Sequence, residues 1–514
     1  MRRSGGENRT SDIATAGAWL VLSFLLASAA SAASLIRPGD PQLRSDIELL
    51  ADAGYIRAPV TSWPLPWTMI AADLQNANIA AMSPAEWGAW SRVVAALGIE
   101  QRHSPRARVG ASVRAGDPPP LRWYDAEPRA DQTLTLGLKS GTAGDFSYNA
   151  QLTLVHNADD HRETIRPDGS YASYHAGNWL INAGWINRWW GPGWSGSMSL
   201  STNARPIPGI ALSRASAEPF ELPVLNWLGP WRFTLFVDRL EDDRYIPHPW
   251  FFGARFAFKP VHNVTIGLSR TSQWGGEGMP QDWVHFRDMV FGHSYHSNSA
   301  YQGTGVPGSS QAGFDIRWHF DIGDQPFALY AYEGGVDASE TTRIFPRKFT
   351  GMLGFETTGA MNNGGSWRLF AEYADTTTGF LDLDNSSDIY NVAYENGGYR
   401  SGYRYLGRSI AYTTDNDSRT VNIGAILSYA PHRSLTLLLR TGTINRDNRS
   451  DSPPGGNTVS RRAADLLAVA ASWAADLPRA MGQIVIAAGV TRWEPANAAK
   501  YYDQRVSLSW CYEF

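Results

Sequence analysis

The chain carries one cysteine in 514 residues, Cys511. No disulfide can form within it, and a lipoprotein anchor, which needs a cysteine just behind the signal cleavage point, is excluded. Long hydrophobic runs are missing too. The one strongly apolar stretch, from Ala14 to Leu26, is too short for a membrane helix, and the mean hydropathy of −0.30 is too polar for a helical membrane protein. Charge of one sign is equally scarce: a net charge of −4 over this length argues against nucleic acid as a partner. No G-x-S-x-G elbow, phosphate loop or Cys/His pair is present. His285, His293 and His296 include an H-x-x-H, but without a third ligand at fixed spacing this reads as a polar loop, so neither metal nor cofactor is expected.

What is present begins with Arg2, Arg3 and Arg9, the short apolar stretch and the small residues Ala30-Ser31-Ala32. Together they form the pattern of a cleaved secretory signal, with the mature chain starting near Ala33. Residues 34–104 then read with helical period. Asp40 caps a helix with Pro41 in its first position and Leu43, Ile47 and Leu50 on one face, stopped by Gly54. A second helix holds Trp67, Ile70 and Leu74, and a third starts at the capping box Ser83-Pro84-Ala85-Glu86 and ends at Gly98. Three short helices bury too little on their own, so this periplasmic unit is expected to dock on, or enter, a larger partner domain.

From about Arg108 the period is two, as in Phe146, Tyr148, Ala150, Leu152 and Leu154. The last segment, Gln504 to Phe514, places Val506, Leu508, Trp510, Tyr512 and Phe514 on one face and Arg505, Ser507, Ser509, Cys511 and Glu513 on the other. Brief connections at Asp476–Gly482, Pro431–Arg433, Asn362–Gly365, Asp321–Gln325 and Lys259–Val261 alternate with long ones at Thr443–Arg462, Thr376–Arg419, Gly334–Lys348, Thr271–Ser310 and Arg239–Phe251. Short periplasmic turns and long outer loops are the asymmetry of bacterial outer-membrane barrels. Extended to Arg108, the pattern predicts an all-β transmembrane antiparallel barrel of about 18 strands over residues 105–514. Aromatics at 12%, with 21 Trp, suit its two interfacial girdles. The terminal strand, closed by Tyr-x-Phe, resembles the signal read by the barrel-insertion machinery.

The segments NWLINAGWINRWWGPGWSGSMSLSTNARPIPGIALSR (178–214), FVDRLEDDRYIPHPWFFGARFAFKP (236–260) and SRTSQWGGEGMP, with the earlier LRSDIELLADAGYIRAPVTSWPLPW, resemble the Wzi family of capsule assembly proteins across nearly the whole mature chain. Thr202 departs from the family pattern, which has two asparagines at Ser201-Thr202-Asn203. The resemblance implies an 18-stranded outer-membrane barrel with a helical bundle on its periplasmic side. It also implies a lectin that holds capsular or related extracellular polysaccharide, rather than an enzyme.

Sugars present apolar CH faces and rings of hydroxyls, which flat aromatic surfaces and planar polar groups match. Arg188, Trp189, Trp190, Trp194, Asn203 and Arg205 form such a set, with Gly191-Pro192-Gly193 bending the chain and Pro206 and Pro208 excluding regular pairing. A structural reading stands beside this one: the tryptophans wedge the lumen shut and the arginines pair with carboxylates. The loop aromatics Trp274, Trp283, Tyr295, Tyr301, Tyr394, Tyr399, Tyr403 and Tyr405 are a second possible glycan surface, or simply solvated. Asp238, Glu241, Asp242 and Asp243 could serve a glycosidase, but Arg239 and Arg244 beside them favour a charge-balanced network. The alternatives to the lectin are a porin or transporter and a glycan- or lipid-modifying outer-membrane enzyme. Expected partners are polysaccharide, outer-membrane lipid and lipopolysaccharide, and the insertion machinery, with the chain a monomer.

Overall fold

The computed structural model describes residues 34–102, 104–140, 144–159, 163–290, 308–338, 346–380, 390–429, 433–449, 456–478 and 481–514. The expected signal segment, His293, His296, Tyr295 and Tyr301 lie outside these residues.

Alternation produces the wall. Eighteen antiparallel strands close into one barrel, the fourth broken into Ile165–Arg166 and Tyr171–Ala176, which both pair with Phe146–Ala158. The last strand, Tyr501–Glu513, closes the ring on the first, Arg106–Gly116, with Tyr512 opposite Val109. Along it Val506 and Leu508 are 55% and 41% exposed on the outside, whereas Arg505 and Ser507 are buried inside. The same division holds around the ring, with Leu136, Leu152, Ile210, Leu369, Ile423 and Val469 outward. An apolar exterior and a polar interior define a membrane-spanning barrel. Among the described residues no helix is long and apolar enough to cross a membrane.

The short turns fall on one rim and the long connections on the other, apart from the connection 215–230, which lies on the short-turn rim. Two boundaries differ from expectation. The strand Trp250–Val261 runs through Pro260, and its turn lies at 262–263 rather than Lys259–Val261; the register shifts between Phe258 and Val261, so the proline occupies an irregularity of the ladder. The long connection expected at Gly334–Lys348 is shorter, because the backbone stays paired out to Ala338 and Pro346.

Local chemistry also sets the helices. In α1 (Pro41–Asp52) the Asp40 carboxylate accepts the Leu43 N–H, and in α3 (Pro84–Glu100) the Ser83–Glu86 box forms both reciprocal hydrogen bonds. Between them lies α2 (Trp67–Gln75). Gly98 does not end α3, which runs on to Glu100, since one glycine weakens a helix without stopping it.

Helix α1 is not the one-faced helix its apolar spacing suggests. Arg44, Ser45, Asp46 and Glu48 are as buried as Ile47 and Leu50, because the polar face meets the charged inner wall of the barrel. Asp52 pairs with Arg317 at 2.5 and 2.8 Å and Ser45 accepts from Arg368, while Asp46 is held at 2.7 Å by Arg92 of α3, which also donates to Ser366 of the wall. The helical layer thus fills the lumen at the short-turn rim.

Candidate functional site

Beside residues 117–129, whose buried Tyr124 packs on Trp63 and Trp189, two longer connections of the long-loop rim turn inward to meet that layer. The first, residues 186–207, joins the strands Trp179–Trp185 and Pro208–Arg214. Its Trp189-Trp190 pairs antiparallel with Ser62-Trp63 of the helical layer, and the Gly191 N–H donates to the Thr61 carbonyl at 2.8 Å. Glycine is required at the bend: Gly191 has φ +112°, and a Cβ there would stand 2.7 Å from the Tyr332 ring. At Gly193 a Cβ would meet the Gly196 carbonyl at 2.5 Å. Pro208 contradicts its expected role, for it begins a strand opposite Trp185, where a missing N–H costs the ladder little.

The structure places the six predicted residues as follows. Trp189, Trp190 and Trp194 are at most 1% exposed. The indole N–H of Trp189 donates to the Gly193 carbonyl, and that of Trp194 to Glu356 at 3.0 Å. The Trp194 ring lies 3.9 Å from the Arg44 guanidinium, a buried cation–π contact. Arg188 pairs with Asp238 at 2.5 Å and lies over Phe236. Asn203 donates to the Ser409 carbonyl and accepts from Thr413. Arg205 grips Asp168 at 2.8 Å and reaches Glu163 at 3.0 Å, whose side chain is 62% exposed. Five of the six are therefore enclosed in the plug, and Arg205 alone reaches a well-exposed group.

Beneath this plug the wall contributes a layer of arginines. Arg232 donates to the Ser62 and Pro64 carbonyls, and Arg255 to Ser62 and Asp315. Arg317 bridges Asp52 and Glu356, while Arg368 contacts Glu356 at 2.9 Å and Glu48 at 3.5 Å. Arg440 donates to the Ser195 carbonyl. Each guanidinium thus finds fixed carbonyls or carboxylates, the condition for burying charge.

The second inward connection spans residues 376–418, described at 376–380 and 390–418. Tyr394, Tyr399 and Tyr403, expected on outer loops that either bind glycan or are solvated, are at most 2% exposed, and Tyr405 is 9% exposed. The Tyr403 hydroxyl donates to the Ser199 carbonyl, and the Ser201 N–H to the Ile410 carbonyl, so this segment lies on the first one. Arg404 locks it through Asp415 at 2.8 Å and through Glu395. At its end, burial together with the negative charges of Asp447, Glu395 and Asp415 pushes the Asp417 carboxyl up to about 8.

Of the carboxylates weighed for catalysis, Asp238 is held by Arg188, and Glu241 pairs with Arg244 and accepts the Leu406 N–H. His285 pairs with Asp282 on the loop helix α4 (Trp283–Val290), and Trp283 is 71% exposed. Trp274 ends its strand against Phe286. No group of three metal-ligating side chains occurs among the described residues.

Sequence reasoning missed the groups left open at the long-loop rim. Tyr245 is 57% exposed, its ring 4.8 Å from the Arg400 guanidinium, and its N–H donates to Ser401. Glu163 and Asp168 flank Arg205, and Arg408 lies 3.8 Å from Asp159. They occur in no repeating pattern; the only sequence signal was the density of Tyr, Arg and Asp in the connections.

The fold and its filled lumen define a class: a transmembrane β-barrel closed by its own chain, with an aromatic and charged rim. The profile of the family Capsule assembly protein Wzi matches residues 109–505, and the chain belongs to that family. It is 29% identical over 345 residues to an uncharacterized 55.8 kDa protein in the cps region of Klebsiella pneumoniae, a match spanning 65% of each chain. In structure it is similar to Wzi of Escherichia coli, an outer-membrane protein involved in group 1 capsule assembly and a carbohydrate-binding β-barrel. That likeness has a TM-score of 0.78 at 22% identity and covers 94% of this chain and 99% of the other; at such identity it establishes the fold.

Proposed function

We propose that this barrel lies in the bacterial outer membrane as a lectin-like protein, binding exported capsular or related polysaccharide and helping to attach it at the cell surface. The observation that carries this reading is the lumen filled from both ends in a member of the capsule-assembly family. A porin needs a water-filled path, whereas here Trp63, Trp189, Trp190 and Trp194 stand in the lumen at no more than 1% exposure. Filling leaves the long-loop rim, facing outward, as the surface where polymer arrives.

Glycan contact belongs at that rim: Tyr245 with Arg400 offers a flat face beside a planar donor, and Arg205 with Glu163 and Asp168 offers paired donors and acceptors. Arg188, Trp189, Trp190, Trp194 and Asn203 act one layer deeper, fixing the connections that carry the rim. Asp238 and Glu241, two of the carboxylates that a glycosidase could have used, are paired with Arg188 and Arg244, which favours a binding protein over an enzyme. Lipid and lipopolysaccharide surround the wall, the terminal strand engages the insertion machinery, and the barrel works as a monomer.

Deleting the gene tests this reading: polysaccharide should still be made but be released into the medium. Unchanged surface-attached polymer would refute it.

A further inference from the structure

The wall is low on one side. The strands Trp179–Trp185 and Pro208–Arg214 have 7 residues each, against 13 in the terminal strand. A tilted strand needs about 9–11 residues to cross the hydrocarbon. On the short-turn rim Arg214 ends opposite Trp179, while the neighbouring strand, Trp231–Arg239, reaches further down to pair Trp231 with Phe258. Through that gap runs the connection 215–230, which departs from the short turns of this rim. It exposes apolar side chains: Val224 is 80% exposed, and Leu222 and Trp227 are each 63% exposed.

The connection is laid against the outer wall. Phe220 stacks on Trp231 at 4.2 Å and 10°, and Trp227 meets Phe258 edge-on at 6.2 Å. Trp231 in turn contacts Phe256 at 5.5 Å on the lipid-facing side. The segment is pinned at its start, where the Trp231 N–H donates to the Ala217 carbonyl and Arg214 lies 3.6 Å from the Trp231 ring. Its exposed apolar groups are thus continuous with the lipid-facing aromatic surface of the barrel.

We propose that residues 217–228 form a foot embedded in the periplasmic leaflet of the membrane, making up the apolar height that the short strands lack. Its occupant is phospholipid, argued from that continuity. Tryptophan and proline without regular pairing suit the interfacial layer, where backbone groups still reach water.

The test uses the full mature chain in phosphatidylcholine vesicles. A nitroxide is placed at Val224→Cys in a Cys511→Ser background, with Val469→Cys as the lipid-facing reference and Ala53→Cys as the aqueous one. The label at 224 should collide more often with dissolved oxygen than with a water-soluble nickel complex, shifting toward the Val469 reference. Preferential collision with nickel, as at Ala53, would overturn the proposal. So would shielding from both reagents, or spin–spin broadening between labels, which would mean a contact with protein or with a second copy. Leu222→Cys provides an independent reading should Val224→Cys not insert.

Discussion

Two long connections that both carry tryptophan and proline, three Trp and two Pro in residues 186–207 and one Trp and three Pro in residues 215–230, meet opposite fates in this barrel. Residues 186–207 turn into the lumen, where Trp189, Trp190 and Trp194 lose nearly all contact with solvent and the indole N–H groups of Trp189 and Trp194 meet a carbonyl and a carboxylate. Residues 215–230 turn outward and keep Trp227 exposed, with aromatic neighbours and few polar ones. The difference lies in what surrounds them. Inside, the wall supplies arginines and carboxylates; outside, it supplies Phe256, Phe258 and lipid. Composition names a connection as aromatic, and the face of the wall that it meets decides whether those aromatics fill a lumen or join a girdle.

Breaking the inner half of this comparison should have the largest effect. Arg368→Ala leaves Glu48 and Glu356 buried with less positive charge and frees the Ser45 contacts. Removing one partner of a buried pair costs about 3–5 kcal/mol, so the folded, heat-modifiable gel species should be lost at clearly lower denaturant. A stability within error of the parent chain would mean that the helical layer is not held by the wall. Trp194→Phe is a gentler cut, since it keeps most of the ring and removes the donor to Glu356. About 1.5–3 kcal/mol should be lost in the same assay, the worth of one hydrogen bond to a charged group, since Arg317 and Arg368 still hold the carboxylate.

Much of the wall was legible in the sequence because strand period, turn length and caps are local. Asp40, Ser83 and Glu86 named their helix starts, and Val506 and Leu508 named the lipid face. The plug was not legible. Nothing within α1 distinguishes Arg44 and Glu48 from solvated residues, because their burial is imposed by Gly193, Arg368 and Glu356 from far along the chain. Tyr394, Tyr399 and Tyr403 read as loop aromatics for the same reason, since no local period tells that a connection folds inward. The predicted sugar contacts were found as a cluster, but a tryptophan between glycines fits a wedge as well as a platform. Here the depth of the lumen, which sequence does not encode locally, places them.

The inward connection 376–418 should respond to pH. The Asp417 carboxyl sits near 8 in the folded chain against an ordinary value of 3.8. Because the folded value is raised, its stabilising contribution is complete below about 3.8 and is lost as pH rises towards 8. The slope is about 1.4 kcal/mol per pH unit in that window. Protease cleavage within 390–418 should therefore become faster from pH 5 to pH 8, and Asp417→Asn should flatten the trend. An identical slope in the variant would assign the effect to another group.

The smallest effect belongs to the outer connection and sharpens the comparison most. Trp227 touches Phe258 at its edge and otherwise faces outward, so Trp227→Ala removes little packing, and in detergent its stability should stay within about 0.5 kcal/mol of the parent. Tryptophan gains its energy at an interface by placing an apolar body in lipid and its N–H near water. In a bilayer, then, the same substitution should show a larger deficit than in detergent. Equal deficits in the two media would make Trp227 an ordinary surface residue and leave the low side of the wall without its lipid-facing extension. A deficit matching that of Trp194→Phe in detergent would mean that the connection is packed as tightly as the lumen, and the contrast between the two faces of the wall would fail.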